Sequence, residues 1–310
     1  MPAGYKLASY QGADGPCGGI ILGNRIHDLK AALSSTGLVA SSVLELLEIW
    51  DAAKPALANL AAHGSDSPSQ SLDSVTLLPP VLYPRALFCA GANYTDHVAE
   101  MQRMLGLPEE GPRKEGDLPW HFVGIPHHSM IGHDASFRMP AYSTKLDWEA
   151  EIAIVIGRAA RNVNVAEALS YAAGLTIMND LSARDWVARK SIPPRSPFHW
   201  DWVSQKCFED SKPIGPWIVP MDDIPDPRDM AIKLWINGEL MQDSNASKLI
   251  FDMAEQIAHL STRFTLLPGD VIATGTPSGV GLSRGRFIAP GDEVRIEVAH
   301  IGVLTNRAAK

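Results

Sequence analysis

The sequence predicts an α+β protein that is mostly β-structure, with a small N-terminal α/β accessory domain at residues 1–79 and a larger domain at 80–310. Short apolar runs bounded by Gly, Pro, Asn and Asp recur along the chain and are typical of strands. Pro79 and Pro80 interrupt local structure just before a new apolar run. The chain has 310 residues, of which 45% are hydrophobic, so it can bury a sizeable core.

The N-terminal part combines short strands with two helices. We predict strands at 6–10, 19–22 and 25–28, helices at 43–53 and 55–63, and a polar connection at 64–74. No cluster of His, Asp or Arg in this part suggests chemistry. We therefore expect it to pack on the larger part as an accessory unit.

The larger part begins with a buried strand followed by a helix. Residues 85–91 are predicted to form the strand, and Asn93 is predicted to cap the helix that carries 95–101. The next stretch, 104–120, is rich in Pro, Gly and charge and has no periodicity. It is interpreted either as a lid over a site or as a disordered surface loop.

The remaining elements follow from local signals. They are a strand ending in 152–156, a helix between Asn164 and Gly174, a strand at 175–178, a hairpin with a type I′ turn at Asn237-Gly238, an amphipathic helix at 246–264 and a Gly-rich loop at 274–281. The Gly-rich loop lacks a lysine at the position that a phosphate-binding loop needs, so a nucleotide site is not expected.

Charge and composition exclude several classes of partner. The formal net charge is −8 and the pI is about 5.7, which argues against nucleic acid and anionic membranes as partners. No signal-peptide pattern and no apolar run of membrane-spanning length is present. We expect a cytoplasmic location. Three separated cysteines predict neither a disulfide framework nor a zinc cluster.

Three carboxylates stand among residues that otherwise have core character. Glu149 and Glu151 are two apart in an extended run, so both side chains point to one face. Asp180 ends the next predicted strand. Because such carboxylates repel one another, they favour a divalent cation, and an oxygen-only set favours Mg²⁺ or Mn²⁺, with Ca²⁺ as an alternative, over zinc. The other interpretation is a solvated edge strand.

A histidine and a glutamate share one helical face. His97 and Glu100 are three residues apart, which allows contact between their side chains. Such a pair serves as a general base in some sites and is an ordinary surface pair in others.

Several ordered motifs resemble the fumarylacetoacetate hydrolase family. They span about 80 to 310 and are GANYTDHVAE at 91–100, DWEAEIAIVIG at 147–157, NDLSARD at 179–185, KCFEDSKPIGPWIV at 206–219, LWINGELMQDSNASKLIF at 234–251 and LLPGDVIATGTPSGVG at 266–281. The resemblance implies a mixed β-sandwich roll core, a divalent metal, a dioxo-acid substrate and a homodimer.

The resemblance also implies roles for residues inside these motifs. The implied metal ligands are Glu149, Glu151 and Asp180, the implied catalytic residues are His97, Glu100 and Lys206, and the implied substrate contacts are Tyr94, Arg184, Gly275 and Thr276. Of these, His97 would activate water with the help of Glu100, and Lys206 would contact the substrate or an oxyanion.

The chain departs from the family pattern in three places. Gly124 stands where relatives commonly carry Lys, and Val187 stands where they often carry Gln. An apparent insertion at 189–204 carries Trp200 and Trp202. It is interpreted either as a clasp for a large or aromatic carboxylate or as an ordinary surface loop.

The expected function is metal-dependent hydrolysis of a C–C bond in a 2,4-dioxo acid of the acylpyruvate or fumarylpyruvate type, which gives pyruvate and a carboxylic acid. The alternative is a decarboxylase or a tautomerase/isomerase that acts on an oxo-diacid through an enolate. A catalytically silent metal-binding protein is the third hypothesis, and the full set of acid, base and metal positions argues against it.

Overall fold

The computed structural model describes residues 4–108, 111 and 113–309. Its strands are β1 Lys6–Gly12, β2 Gly15–Leu22, β3 Arg25–Asp28, β4 Ser69–Ser71, β5 Leu77–Leu78, β6 Leu87–Ala90, β7 His121–Gly124, β8 Met130–Ile131, β9 Ser136–Phe137, β10 Leu146–Asp147, β11 Ala150–Ile156, β12 Ala172–Asn179, β13 Ser182–Ala183, β14 Lys212–Pro220, β15 Ala231–Ile236, β16 Glu239–Asn245, β17 Val271–Ala273, β18 Glu293–Val298 and β19 Gly302–Ala308.

Helices are shorter and lie between the strands. They are α1 Leu29–Ala32, α2 Val43–Glu48, α3 Trp50–His63, α4 Thr95–Leu105, α5 Pro126–Ser129, α6 Val165–Ala168, α7 Trp202–Lys206, α8 Met253–Ser261 and α9 Gly281–Arg284, with 3₁₀ turns at Leu72–Ser74, Leu169–Tyr171, Arg184–Trp186, Met221–Asp223 and Ala246–Lys248. This content confirms the predicted α+β class with mostly β-structure. No helix among the described residues is both long and apolar enough to cross a membrane.

Two sheets form the framework. The larger has the order β4-β3-β2-β1-β14-β12-β11-β17-β6-β7, with β5 beside β1 and β8 beside β14, and the smaller has the order β16-β15-β18-β19-β9. Ile152 and Ile154 of β11 share a buried cluster with Ile232 and Leu234 of β15. Since these positions alternate along their strands, one face of each sheet packs against the other.

The N-terminal part continues the larger sheet. Strand β1 pairs with β14 at Leu7 and Ile218, and Leu46 of α2 lies in one buried cluster with Val155 of β11. The predicted packing of this part on the rest of the chain is therefore present. The predicted domain boundary at residue 79 stays a prediction.

Several local predictions are confirmed. Asn237 and Gly238 both have positive φ, at 52° and 81°, as a type I′ turn between β15 and β16 requires. Asn164 caps α6 by accepting a hydrogen bond from the Glu167 N–H.

Other local predictions are wrong. The helix break in the N-terminal part lies at Ile49, and Pro55 lies inside α3. Gly174 lies in β12 instead of ending a helix, and a β-carbon there would come within 2.1 Å of the Val219 carbonyl oxygen. Residues 246–264 do not form the single predicted helix but a 3₁₀ turn at Ala246–Lys248 and then α8, which Asp252 caps.

Asn93 does not cap α4, because Tyr94 occupies the N-cap position without a side-chain hydrogen bond. The Asn93 amide instead donates to the Phe251 and Thr274 carbonyls. The stretch 104–120 includes residues 109, 110 and 112, which lie outside the described residues, so its interpretation as a lid stays a prediction.

Candidate metal centre and active site

The three predicted metal ligands come together at one end of the β11–β12 pair. Ala150 of β11 pairs with Asn179 of β12, so Glu149 and Asp180 flank the same rung of the ladder. The Asp180 N–H donates to the Glu149 carbonyl at 2.9 Å. Glu151 lies two residues after Glu149, inside β11. Ligand atoms of the three buried carboxylates lie within 4.8 Å of one another.

Two lysines balance part of this negative charge. Lys206 Nζ lies 2.6 Å from Glu149 Oε2 and 2.7 Å from Asp180 Oδ2. Lys212 Nζ lies 2.7 Å from Asp180 Oδ1. Lys206 ends α7 and Lys212 begins β14, so the short connection between them carries both ammonium groups to the cluster.

Arg184 adds a third cation, whose side chain is mostly buried. Its Nε donates to Asp147 Oδ2 at 2.8 Å, and its Nη2 donates to Glu149 Oε1 at 2.5 Å. Asp147 also accepts the N–H groups of Gly281 and Leu282. These contacts indicate that Arg184 orients Glu149, and its predicted contact with substrate stays a prediction.

Burial and nearby charges shift the pKa values of Glu149 and Glu151 in opposite directions. Burial, together with the negative charges of Asp180 and Glu149, raises the pKa of Glu151 well above its usual value. Burial would also raise the pKa of Glu149, but attraction by Lys206 and Arg184 outweighs it and lowers that pKa. The pKa of Lys206 is raised because Asp180 and Glu149 outweigh the effect of its burial.

The donor set fits a hard divalent cation. All three side chains offer oxygen, which Mg²⁺ and Mn²⁺ prefer. Asp180 Oδ1 has no well-directed hydrogen bond within the described part of the chain, although Lys212 lies close to it. A bound cation would also relieve the repulsion that raises the pKa of Glu151.

The predicted base pair lies on α4. His97 Nδ1 is 3.5 Å from Glu100 Oε2, and both side chains are largely buried. Glu100 is held by the Gly279 N–H at 3.0 Å and by the Ser283 hydroxyl at 2.7 Å. These hydrogen bonds and the contact with His97, which is not a well-directed hydrogen bond, outweigh burial and lower the pKa of Glu100. Glu100 is therefore anionic and able to orient His97. Gly275, whose N–H donates to Glu151, lies against Asn93, so the chain just before α4 adjoins the acidic cluster.

The predicted substrate contacts have different environments. Tyr94 is fully buried, its hydroxyl has no hydrogen-bond partner in the described structure, and burial next to Glu151 raises its pKa. The Gly275 N–H donates to Glu151 Oε2 at 2.8 Å, so it holds an acid of the cluster. The Thr276 hydroxyl accepts from Gln242. Direct contact of these three residues with substrate stays a prediction.

An aromatic row extends from Lys206. Phe122 of β7 has its ring centroid 5.5 Å from Lys206 Nζ and stacks on Trp202 of α7 at 5.5 Å. Trp120 lies 4.9 Å from Trp202. By contrast, Trp200 and Phe198 of the insertion are exposed, at 54% and 70%.

Two charged residues of the site were not predicted from the sequence. Lys212 follows Lys206 by six residues inside the matched KCFEDSKPIGPWIV motif, which could have identified it. Asp147 stands directly before Trp148 in the matched DWEAE motif, which could have identified it.

Comparisons with known proteins agree with this architecture. Residues 86–309 match the family model described as fumarylacetoacetate (FAA) hydrolase C-terminal. The chain is 34% identical to oxaloacetate tautomerase fahd2, mitochondrial, of Xenopus laevis, over 97% of this chain and 89% of that protein.

Two solved structures share the whole fold. One is 5-carboxymethyl-2-hydroxymuconate delta-isomerase from Mycobacterium smegmatis, with 29% identity and a TM-score of 0.72 over 98% of this chain and 99% of that one. The other is maleylpyruvate hydrolase from Sphingobium sp. SYK-6 in complex with manganese(II) and pyruvate, with 25% identity and a TM-score of 0.74 over 98% of each chain. The family model covers most of the chain, and the chain belongs to the fumarylacetoacetate hydrolase family.

Proposed function

We propose that this chain is a divalent-metal enzyme that interconverts the keto and enol forms of a 2-oxo dicarboxylic acid of the oxaloacetate type. The observation that carries the proposal is the buried cluster of Glu149, Glu151 and Asp180, with Lys206 between two of its acids. Similarity to an oxaloacetate tautomerase over 97% of the chain supports this choice of reaction.

The proposed centre is built from Glu149, Glu151 and Asp180. A bound Mg²⁺ or Mn²⁺ would supply Lewis acidity that favours the enolate of a 2-oxo acid. Stabilising charge where it develops lowers the barrier most in a site that excludes water, and these acids are buried.

The chain's own residues would move the proton. His97 would remove a proton from the carbon next to the 2-oxo group and return one to the oxygen, or the reverse. Glu100, fixed by Gly279 and Ser283, would hold the imidazole in place. Lys206 would place its ammonium beside the developing negative oxygen. A tautomerase needs no attacking water, so these residues suffice.

Hydrolysis of a 2,4-dioxo acid is the second candidate. The observation that favours it is the contact of His97 with the anchored Glu100, since such a pair also suits activation of a water molecule. The similar maleylpyruvate hydrolase is recorded with manganese(II) and pyruvate. Under this candidate the products are pyruvate and a carboxylic acid.

One experiment separates the two candidates. Enol forms of oxaloacetate and of several acylpyruvates are supplied with Mg²⁺ or Mn²⁺, and the loss of enol absorbance is followed while products are identified by NMR. The proposal expects the keto form of oxaloacetate with no fragments. Pyruvate and a second acid from an acylpyruvate would support hydrolysis instead. If enol loss does not exceed that of the His97→Ala variant with any substrate, both candidates fail.

For its partner, we propose a small oxo-acid substrate, which fits the family. The predicted homodimer stays a prediction. The predicted cytoplasmic location also stays a prediction, because the similar Xenopus laevis protein is named as a mitochondrial one.

A further inference from the structure

Gln242 is a buried amide between the acidic cluster and the Gly-rich loop at 274–281. Its side chain is 0% exposed. The amide oxygen, Oε1, accepts from the N–H of Ala150, the residue between the two glutamates of the cluster, at 3.0 Å. The amide nitrogen, Nε2, donates to the Pro277 carbonyl at 2.8 Å and to the Thr276 hydroxyl at 3.0 Å. The proposed function gives Gln242 no role.

The contacts of Gln242 allow only one orientation of its amide. A backbone N–H can only donate and a carbonyl oxygen can only accept, so the amide oxygen faces Ala150 and the amide nitrogen faces Pro277. In the flipped orientation two donors would meet at Ala150 and two acceptors at Pro277. The nitrogen is therefore the atom beside the Thr276 hydroxyl, which must accept a hydrogen bond from it.

The Thr276 hydroxyl consequently needs an acceptor for its own proton. Thr276 is only 5% exposed, and within the described structure nothing accepts a hydrogen bond from its hydroxyl or from its backbone N–H. A buried donor without an acceptor is costly. The N–H of the preceding residue, Gly275, donates to Glu151 at 2.8 Å, so these donors adjoin the acidic cluster.

Other donors of the same loop show which acceptors it attracts. Four of its N–H groups donate to carboxylates of the protein, namely Gly275 to Glu151, Ser278 to Asp96, Gly279 to Glu100 and Gly281 to Asp147. Thr276 offers donors of the same kind within this series. A carboxylate of the ligand is therefore the acceptor that suits Thr276 best.

We propose that Gln242 makes the site select a carboxylate, because it obliges the Thr276 hydroxyl to act as a donor toward the ligand. A carboxylate offers only acceptors to that proton, whereas the NH₂ of a carboxamide would oppose it donor to donor. Gln242 is a positioning residue, since it acts through Thr276. The inference rests on the proposed function, which supplies a 2-oxo acid as the ligand.

Variants of Thr276 provide the first test. Pyruvate and pyruvamide, in which a carboxamide replaces the carboxylate, are titrated into the Mg²⁺-loaded protein by isothermal titration calorimetry. We expect Thr276→Val to weaken pyruvate binding about 10- to 100-fold, the usual range for a hydrogen bond to a charged group, and to weaken pyruvamide binding much less. Thr276→Ser keeps the hydroxyl and should bind both ligands as wild type does. Equal losses for the two ligands in Thr276→Val overturn the inference.

The Gln242→Met variant tests the positioning residue itself. It removes the donor and leaves the Thr276 hydroxyl free to accept, so pyruvate should bind about 10-fold more weakly while pyruvamide binds at least as tightly as before. In the double variant with Thr276→Val, pyruvate affinity should equal that of Thr276→Val alone, because Gln242 acts through Thr276. Losses that add in the double variant would assign the effect to the contact with Ala150 and overturn the inference.

Asn306→Leu is the matched control for Gln242→Met. Asn306 is also a buried amide, and it donates to the Gly132 and Ala135 carbonyls, away from the Gly-rich loop. Its replacement should leave the affinities for pyruvate and pyruvamide unchanged. A loss of pyruvate affinity in Asn306→Leu as large as that in Gln242→Met would make the effect a general result of losing a buried amide, against the inference.

The outcomes separate this inference from the proposed function. If Mg²⁺-loaded wild type binds no pyruvate, the oxo-acid ligand fails, and with it both proposals. If pyruvate binds wild type and Gln242→Met alike, only the inference fails. If the affinities follow the expected pattern but keto and enol forms are not interconverted, only the proposed function fails. If Gln242→Met does not fold, as circular dichroism would show, the comparison of Thr276→Val with Thr276→Ser decides alone.

Discussion

At the scale of single residues, His97 is the group on which the proposed chemistry depends. His97→Ala should lower turnover about 10²- to 10⁴-fold, the usual range for loss of a general acid or base, while Mn²⁺ affinity stays nearly unchanged. His63→Ala, at the exposed end of α3, is the control and should leave turnover unchanged.

Deuterium exchange would distinguish action of His97 on the substrate carbon from action on water. In the tautomerase proposal, exchange of the substrate protons next to the 2-oxo group with D₂O should fall together with turnover in His97→Ala. Exchange that survives while hydrolysis is lost would show that His97 acts on water, and the hydrolase candidate would then be the better one.

Arg184 connects two buried acids, and its loss should affect stability. Arg184→Met leaves Asp147 and Glu149 without their shared cation, which should lower the free energy of unfolding by about 3–5 kcal/mol. Urea unfolding of the metal-free protein measures the change. Arg228→Met, which breaks an exposed pair with Asp226, should unfold like wild type. An Arg184→Met curve that matches wild type would remove the positioning role.

At the scale of elements, the loop before α9 supports the base pair. Gly279 has φ of 99°, and a β-carbon there would come within 2.1 Å of the Met241 carbonyl oxygen. Gly279→Ala should therefore destabilise the protein by roughly 1–3 kcal/mol and lower turnover, because the Gly279 N–H holds Glu100.

Gly285 is the matched control for Gly279. It also has positive φ, at 65°, but no atom lies within 4 Å of the added carbon. Gly285→Ala should cost only about 1 kcal/mol and should leave turnover unchanged. Thermal unfolding and turnover of both variants check the comparison, and equal turnover in the two variants would contradict the role of the Gly279 N–H.

The insertion at 189–204 contains tryptophans in different environments. Trp202 stacks on Phe122 beside Lys206, whereas Trp200 is exposed and packs edge-on against His199. Trp202→Ala should change kcat/KM differently for substrates of different distal size, and Trp200→Ala should change it little. A uniform effect of Trp202→Ala across a substrate panel would make the aromatic row a packing feature only.

Turns and helix caps were predicted correctly where they depend only on neighbouring residues. The Asn237-Gly238 turn and the Asn164 cap were predicted because each depends on a few adjacent residues. The roles of Asn93 and Gly174 could not be predicted, because their partners are Phe251, Thr274 and Val219, which are distant in the sequence.

At the scale of the whole molecule, the site also combines features set by neighbouring residues with features set by residues distant in the sequence. Alternation along β11 was enough to place Glu149 and Glu151 on one face, and the following strand end supplied Asp180. The cations that hold these acids could not be placed from the sequence, because Lys212 reaches Asp180 through the pairing of β14 with β12, and Arg184 joins Glu149 to Asp147 from a separate turn.

The contacts of the N-terminal part with the rest of the chain determine whether it unfolds by itself. Strand β1 extends the large sheet through β14, and Tyr5, Leu7 and Leu46 share a buried cluster with core strands. Trp50 of α3 lies against Gly157, where an added β-carbon would be 2.7 Å from its ring. Separating the two parts would expose this shared apolar surface, so we expect one cooperative transition in scanning calorimetry.

The test compares the calorimetric enthalpy with the van't Hoff enthalpy, which should agree for a single transition. Trp50→Phe serves as a local probe, because the difference between its fluorescence melt and that of wild type reports the contact between the two parts. That difference should follow the calorimetric transition. Two resolved transitions, with Trp50 changing in the earlier one, would show that residues 1–79 form an independently unfolding domain. In that case the shared cluster would contribute less to stability than the core of each part.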